Sequence, residues 1–304
     1  MPRRAGGPPR FHGILVIDKP AGWTSHDVVA RIRRLVGERQ VGHAGTLDPA
    51  ATGVLPVAVG SATRVVEYLA EASKTYLAEM TFGVETDSHD VDGQVTRLVD
   101  PSELTASDIE AALAAWRGPI DQIPPMHAAI KVGGRPLYER ARLGEVIDRP
   151  PRRVVIHQME LFDWSPPVAT LAVDCSKGTY IRALARDLGA DVGAGAYLSN
   201  LVRLRTGPFD LAQAWTMAEL SARDLAAEWS TIAVHPDAAA EHLDALILNE
   251  DATRQWAFGQ PIRHSAEVRG VVRAYDMSGE WLGIAVGSPE TTSWKPTKVI
   301  ASAA

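Results

Sequence analysis

VGHAGTLDPAATGVLP, residues Val41–Pro56, is the most informative stretch of this chain. It places three glycines around one acidic residue, Asp48, which Pro49 follows. Because proline biases the preceding residue towards extended backbone, we expect Asp48 to lie in a loop. Glycines permit tight bends and the close approach of a ligand. Asp48 could therefore face a pocket as a nucleophile or base, or it could only cap its own backbone in an Asx turn.

Three further segments surround this stretch in chain order. They are Gly13–Ser25 (GILVIDKPAGWTS), Ser73–Tyr76 (SKTY) and Cys175–Arg182 (CSKGTYIR). With GHAGTLDP-x-ATG-x-LP, they resemble the four motifs of the TruB family of pseudouridine synthases, in the right order. The resemblance implies a mixed α/β (α+β) class: a pseudouridine synthase fold with a central mixed, largely antiparallel sheet.

The resemblance also implies the catalytic residues. Asp48 corresponds to the nucleophile, and with an ordinary pKa of about 3.9 it is ionised at neutral pH. Arg182 is expected to orient it, since a guanidinium can grip a carboxylate through two hydrogen bonds. Tyr76 corresponds to the tyrosine that stacks on the extruded base and is a candidate for assisting removal of the carbon-5 proton. Tyr180 is expected to line the same pocket.

Three more residues receive supporting roles by resemblance. His43 is expected to contact RNA where the uridine leaves its stack. Lys19, together with Pro20, is expected to buttress the Asp48 loop. Leu198 is expected to supply apolar packing below the base.

An insertion at about residues 124–153 matches the family's clamp on the T arm of tRNA. Lys131 and Arg142 keep their motif positions in it and are expected to bind RNA. The chain departs from the family pattern at His127-Ala128-Ala129, where relatives commonly carry Tyr-Ser-Ala.

Charge is unevenly distributed along the chain. The net charge of −6 argues against a nucleic-acid partner at first sight, but seven Lys and Arg residues are concentrated in Lys131–Arg153. Because an RNA-binding protein needs a basic face and not a basic average, this segment is a candidate RNA contact; a solvated surface segment is the alternative.

Length and composition predict an ordinary globular protein. The 304 residues suffice for a large domain and a small one, and the single cysteine fits a reducing compartment. No apolar run reaches the length of a membrane span, so the sequence predicts a cytoplasmic protein. The pseudouridine formation that the resemblance implies requires neither a metal nor an organic cofactor.

The chain divides into three predicted parts. Residues 1–10 form a loose basic tail, residues 11–235 the catalytic domain, and residues 236–304 a small PUA-like β-rich domain. Within the catalytic domain, Ser25 is the candidate cap of a helix that ends at Gly37. In the last part, the sequence predicts helices over Ala238–Leu246 and Asp251–Phe258, followed by a hairpin.

The function expected from this pattern is conversion of uridine 55 in the T loop of tRNA to pseudouridine, without an obligate protein partner. The alternatives are a catalytic subunit of a guide-RNA-directed complex and a non-catalytic tRNA-binding or tRNA-folding protein. A carboxylate glycosidase is a fourth possibility, weakened because no second catalytic acid is obvious near Asp48.

Overall fold

The computed structural model describes residues 11–126, 128, 131–132, 134–137, 140, 143, 145, 147–263 and 268–300. The predicted tail therefore lies outside the described residues. The described strands, in chain order, are β1 (Gly13–Lys19), β2 (Val41–His43), β3 (Thr52–Val59), β4 (Lys74–Phe82), β5 (Val84–Thr86), β6 (Val95–Leu98), β7 (Gly118–Gln122), β8 (Lys131–Val132), β9 (Arg135–Pro136), β10 (Arg152–Ser165), β11 (Val168–Cys175), β12 (Ala196–Thr206), β13 (Phe209–Asp210), β14 (Trp215–Thr216), β15 (Asp244–Leu248), β16 (Ile262–Arg263), β17 (Val271–Asp276), β18 (Trp281–Ser288) and β19 (Ser293–Val299).

A ten-stranded sheet organises the larger part of the described chain. Its order is β14-β1-β3-β12-β4-β11-β10-β7, with β2 added beside β3 and β13 beside β12. Only β1 with β14 and β3 with β12 run parallel; the other pairs are antiparallel. The predicted mixed, largely antiparallel sheet is confirmed.

The described helices pack on the two sheets of the chain, and the last of them packs on strands β15, β16 and β19. In chain order they are α1 (Ser25–Val36), α2 (Val66–Glu71), α3 (Ala106–Leu113), α4 (Ile181–Asp191), α5 (Met217–Ala222), α6 (Leu225–Ile232) and α7 (Glu250–Ala257). Helix α1 buries Val28, Val29, Ile32 and Val36 and ends at Gly37, whose φ of 68° is left-handed. That end was predicted, and glycine suits it because a residue without a Cβ adopts the left-handed conformation without steric penalty.

The predicted cap of α1 is wrong by one residue. Thr24 is the N-cap: its hydroxyl accepts from the Asp27 backbone N–H, and the Asp27 side chain accepts in return from the Thr24 backbone N–H. Ser25 is instead the first helical residue. Its hydroxyl is directed to the backbone of Leu47, in the Asp48 loop.

The C-terminal part forms a second, five-stranded sheet with the order β15-β17-β18-β19-β16. The hairpin of β17 and β18 and the helix α7 agree with the sequence prediction. The helix predicted over Ala238–Leu246 is wrong: a 3-10 turn over Pro236–Ala240 is followed by strand β15. Along β15 buried and exposed residues alternate at Leu246, Ile247 and Leu248, the period of a strand.

Among the described residues, no helix has the length and apolar composition that crossing a membrane requires. The large sheet packs apolar faces under helices. Strands β1 and β3 are almost wholly buried, and β4 alternates buried and half-buried residues. Of the candidate site residues, Asp48 lies in the loop between β2 and β3, Tyr76 lies near the start of β4, and Arg182 lies at the start of α4.

Candidate active site

The loop that carries Asp48 connects β2 to β3 and is fixed by side chains from elsewhere in the chain. The Ser25 hydroxyl accepts from the Leu47 N–H at 2.9 Å and donates to the Leu47 carbonyl oxygen at 3.1 Å. The Lys19 ammonium, fully buried, donates to the Pro49 carbonyl oxygen at 3.1 Å and to two carbonyls of its own following turn. The backbone on both sides of Asp48 is therefore held in place.

Arg182 grips the Asp48 carboxylate with two nitrogens. Its Nε lies 3.1 Å from Oδ2 of Asp48, and its Nη2 donates to Oδ1 at 3.3 Å. The remaining Nη1 donates to Oδ2 of Asp90 at 3.0 Å. Arg182 lies at the start of α4, which Gln122 anchors through two hydrogen bonds to the Tyr180 backbone. The two-point grip predicted from the sequence is present.

Burial and the neighbouring charges shift the pKa of the Asp48 carboxyl in opposite directions. Burial raises the pKa of the Asp48 carboxyl above its ordinary value, and the Arg182 guanidinium opposes that rise. The carboxylate of Asp90 raises the pKa further. The exposed fraction of the Asp48 side chain is 43%, so the carboxylate is partly solvated and accessible from the cavity space.

Asp48 stands between two cavities of about 680 and 290 Å³. Both cavities are lined by Thr46, Leu47, Asp48, Arg182 and Leu201. The smaller cavity is completed by Tyr76 and Tyr180, as well as Lys74, Ala128 and Arg203. The larger is completed by Leu198 and by the turn around Asp90. The smaller cavity thus brings together the carboxylate, its guanidinium and two aromatic side chains.

Burial raises the pKa of the Tyr76 phenol and that of the Tyr180 phenol. Tyr76 is therefore neutral at neutral pH. A neutral, buried phenol favours packing against a base over proton abstraction by a phenolate.

Of the remaining predicted site residues, Leu198 lines one of the two cavities and His43 lines neither. Leu198 lines only the larger cavity, across Asp48 from Tyr76. His43 lines neither cavity of the described residues; its ring packs edge-on against His26, 5.5 Å between centroids, and burial lowers its pKa to about 4. A neutral His43 offers no charge to a phosphate.

The predicted clamp is described only in part. Lys131 lies on the two-residue strand β8, which pairs with β9. Arg142, like His127 and Ala129 of the departure from the family pattern, lies outside the described residues. Ala128 is buried and lines the smaller cavity.

Sequence reasoning missed four residues of this site. Asp90 pairs with Arg182, and Leu201 lines both cavities. Lys74 donates to two carbonyls at the end of α2, and burial lowers its pKa to about 8. Arg203 is buried beside the Asp48 loop. No local pattern distinguishes Lys74 or Arg203, because both lie in strands that also carry other polar and charged residues.

In the part of the chain that the structure describes, no group of three or more His, Cys, Asp and Glu side chains is arranged to hold a metal ion.

Comparison with known proteins points to one family. The family described as "TruB family pseudouridylate synthase (N terminal domain)" matches residues 33–181. The family described as "tRNA pseudouridylate synthase B C-terminal domain" matches residues 182–252, and the one described as "Pseudouridine synthase II TruB, C-terminal" matches residues 245–291.

Relatives match over more than two thirds of the chain. The tRNA pseudouridine synthase B of Dehalococcoides mccartyi strain 195 is 43% identical, covering 96% of this chain and 97% of its own. That of Symbiobacterium thermophilum is 55% identical, covering 69% and 71%. A solved Cbf5-Nop10-Gar1 complex matches with a TM-score of 0.75 and 26% identity, covering 98% of this chain and 90% of that chain. The chain belongs to the TruB family of pseudouridine synthases.

Proposed function

We propose that this protein converts uridine 55 in the T loop of tRNA to pseudouridine, with Asp48 as the nucleophile. The observation that carries the proposal is the Asp48 carboxylate, gripped by Arg182 at the wall of an aromatic-lined cavity. The substrate follows from the relatives named tRNA pseudouridine synthase B that match over nearly the whole chain.

The reaction detaches uracil from its ribose, rotates it and rejoins it through carbon 5. A single carboxylate can begin this by attacking either the sugar or the base, and both routes need the same orientation of Asp48. Arg182 keeps the carboxylate charged and aimed, while Tyr76 and Tyr180 offer apolar faces to the extruded base. A base stacked in a folded RNA must leave its stack first, which costs a few kcal/mol.

The decisive experiment uses the purified protein alone, with an unmodified tRNA transcript and no guide RNA. We expect pseudouridine at position 55 and none in a transcript that carries cytidine there. Asp48→Asn should abolish the product, because an amide is nearly isosteric but is no anionic nucleophile. Its affinity for tRNA should stay within about twofold of wild type, since phosphate contacts elsewhere dominate binding.

Measurable turnover by Asp48→Asn, free of wild-type protein, would contradict the nucleophile assignment. Product that forms only when a guide RNA and partner proteins are added would favour the guide-directed alternative, which the likeness to the Cbf5 complex makes worth testing. Binding without product would favour a non-catalytic tRNA-binding protein.

Three further expectations belong to this proposal. We infer that the T arm is gripped by the segment at about 124–153, through residues that include Lys131 and Arg142. We also infer that the protein acts without an obligate protein partner and works in the cytoplasm, where its tRNA substrate is found. The boundary between the catalytic domain, residues 11–235, and the PUA-like domain, residues 236–304, stays a prediction as well.

A further inference from the structure

Arg203 is a buried cation in the centre of the large sheet. Only 1% of its surface is exposed. On β12 it lies directly between two neighbours in register, Gly53 on the parallel strand β3 and Tyr76 on the antiparallel strand β4. By strand pairing alone, Arg203 therefore contacts both the strand that follows the Asp48 loop and the strand that carries the active-site tyrosine.

The Arg203 guanidinium donates to three backbone carbonyls. Its Nε donates to the Val54 oxygen at 2.7 Å, its Nη2 to the Gly45 oxygen at 3.0 Å, and its Nη1 to the Thr46 oxygen at 3.5 Å. The Arg203 guanidinium also lowers the pKa of the Tyr76 phenol, against the larger rise that burial causes. One planar group thus joins the entry of the Asp48 loop to its exit, on a residue that pairs in register with Tyr76 and lines the same cavity.

These contacts complete the support of the loop. Lys19 holds the Pro49 carbonyl after Asp48, and Ser25 holds both backbone groups of Leu47 before it. Arg203 holds the two residues before Leu47. Without Arg203, the Gly45 and Thr46 carbonyls would lose these side-chain donors.

We propose that Arg203 is a positioning residue that fixes the Asp48 loop and Tyr76 in a single geometry for reaction. The proposal rests on the proposed function of Asp48. Arg203 acts through the loop and the tyrosine, because its donors are directed to protein groups. A misplacement of about 1 Å at a reacting group can cost on the order of 100-fold in rate, which sets the size of the expected effect.

A lysine cannot replace this arginine. Lysine keeps the positive charge, but its single ammonium is a point donor and lacks the rigid planar fork that reaches carbonyls on different segments. Arg203→Lys therefore removes the geometry and leaves the charge.

The test compares Arg203→Lys with Arg205→Lys. Arg205 lies two residues further along β12, is 50% exposed on its side chain and pairs with Asp174 away from the loop. For Arg203→Lys we expect kcat on tRNA to fall on the order of 100-fold, with KM and the Kd for tRNA within about threefold of wild type. Arg205→Lys should match wild type in all three.

A second measurement needs no catalysis. Amide hydrogen exchange in the loop Gly45–Ala51 of the free protein should speed up about tenfold in Arg203→Lys, as expected for lost hydrogen bonds to a charged donor, and should not change in Arg205→Lys. The exchange measurement tests the role of Arg203 even if the wild-type protein does not modify tRNA. Such a lack of activity would count only against the proposed function.

Three results would overturn the proposal. One is a kcat of Arg203→Lys within threefold of wild type, and another is unchanged exchange in the loop. The third is a loss of activity that only follows the unfolded fraction measured by circular dichroism, with the Kd for tRNA weakened in parallel, because a merely structural residue would behave in that way.

Discussion

Asp48 combines two conditions that oppose each other, a partly buried position and a negative charge. Burial raises the pKa of its carboxyl, and the two-point contact with Arg182 does not fully offset that rise. A carboxylate that water solvates poorly is a better nucleophile towards a bound base or sugar, but it destabilises the folded chain when it ionises.

This tension gives a pH-dependent prediction for stability. A raised carboxyl pKa means that the folded state binds the proton more tightly than the unfolded state, so wild-type stability falls as pH rises from about 4 through the folded pKa. Asp48→Asn has no proton to lose there. We expect its Tm relative to wild type to rise between pH 4 and pH 7 in thermal unfolding.

The control for that comparison is Asp244→Asn, at an exposed carboxylate on β15. Its Tm difference from wild type should stay flat over the same range. A Tm difference for Asp48→Asn that shrinks towards pH 7 would show that Arg182 outweighs burial, and the direction assigned to the Asp48 pKa would then be wrong.

At this scale the sequence revealed the residues that sit in contiguous motifs. Asp48, Arg182 and Tyr76 each lie in such a motif, and the structure brings them to one cavity wall. Arg203 was not predicted because its partners are backbone carbonyls 149 to 158 positions away in the chain. A buried cation bound to distant carbonyls leaves no local pattern, and in a strand it resembles a surface residue.

At the scale of elements, the contact between β3 and β12 depends on one glycine. Gly53 has a φ of +96°, and a Cβ there would lie 2.3 Å from the Arg203 carbonyl oxygen. Gly37 has a left-handed φ of +68°, with open space around its Cβ position. Gly37→Ala should therefore cost about 1–2 kcal/mol for the backbone alone. Gly53→Ala should cost more, since the strands must also separate.

Urea unfolding of both glycine variants measures that difference, and the rate on tRNA should fall only for Gly53→Ala, because β3 carries the exit of the Asp48 loop. Equal urea midpoints for the two variants would mean that the strands yield without cost, and the close approach would not matter.

The elements that sequence predicted best are those with a clear period and a clear end. Helix α1 has both, and its end at Gly37 was placed correctly. The alanine-rich segment Ala238–Leu246 has high helix propensity but no helical stripe that the fold buries, and parallel pairing with β17 turns its second half into a strand. Tertiary pairing of this kind is invisible in a local window.

At the scale of the whole molecule, the two sheets share an apolar core. Trp281 and Ile284 of β18 belong to the same buried cluster as Ile14 and Val16 of β1. Polar contacts reinforce the junction: Lys298 pairs with Glu67 at 2.8 Å, and Arg64 donates to the Val299 carbonyl oxygen at 2.7 Å. Strand β1 ends at Lys19, which holds the Asp48 loop, so the strand that packs against the C-terminal sheet is the strand that supports this loop.

Because of this shared core, we expect the chain to unfold in a single transition and the PUA-like part to stabilise the active site. Trp281→Ala should cost about 3–5 kcal/mol, since it empties a large buried volume. The temperature at which activity on tRNA is lost should then fall together with the Tm of the whole chain. Phe258→Ala, at a residue 81% exposed, is the control and should change neither. The contrary result is a separate unfolding transition of the C-terminal sheet at lower temperature, with activity lost at the same temperature as in wild type. The two parts would then unfold independently, and the boundary at residue 236 would separate two units of stability.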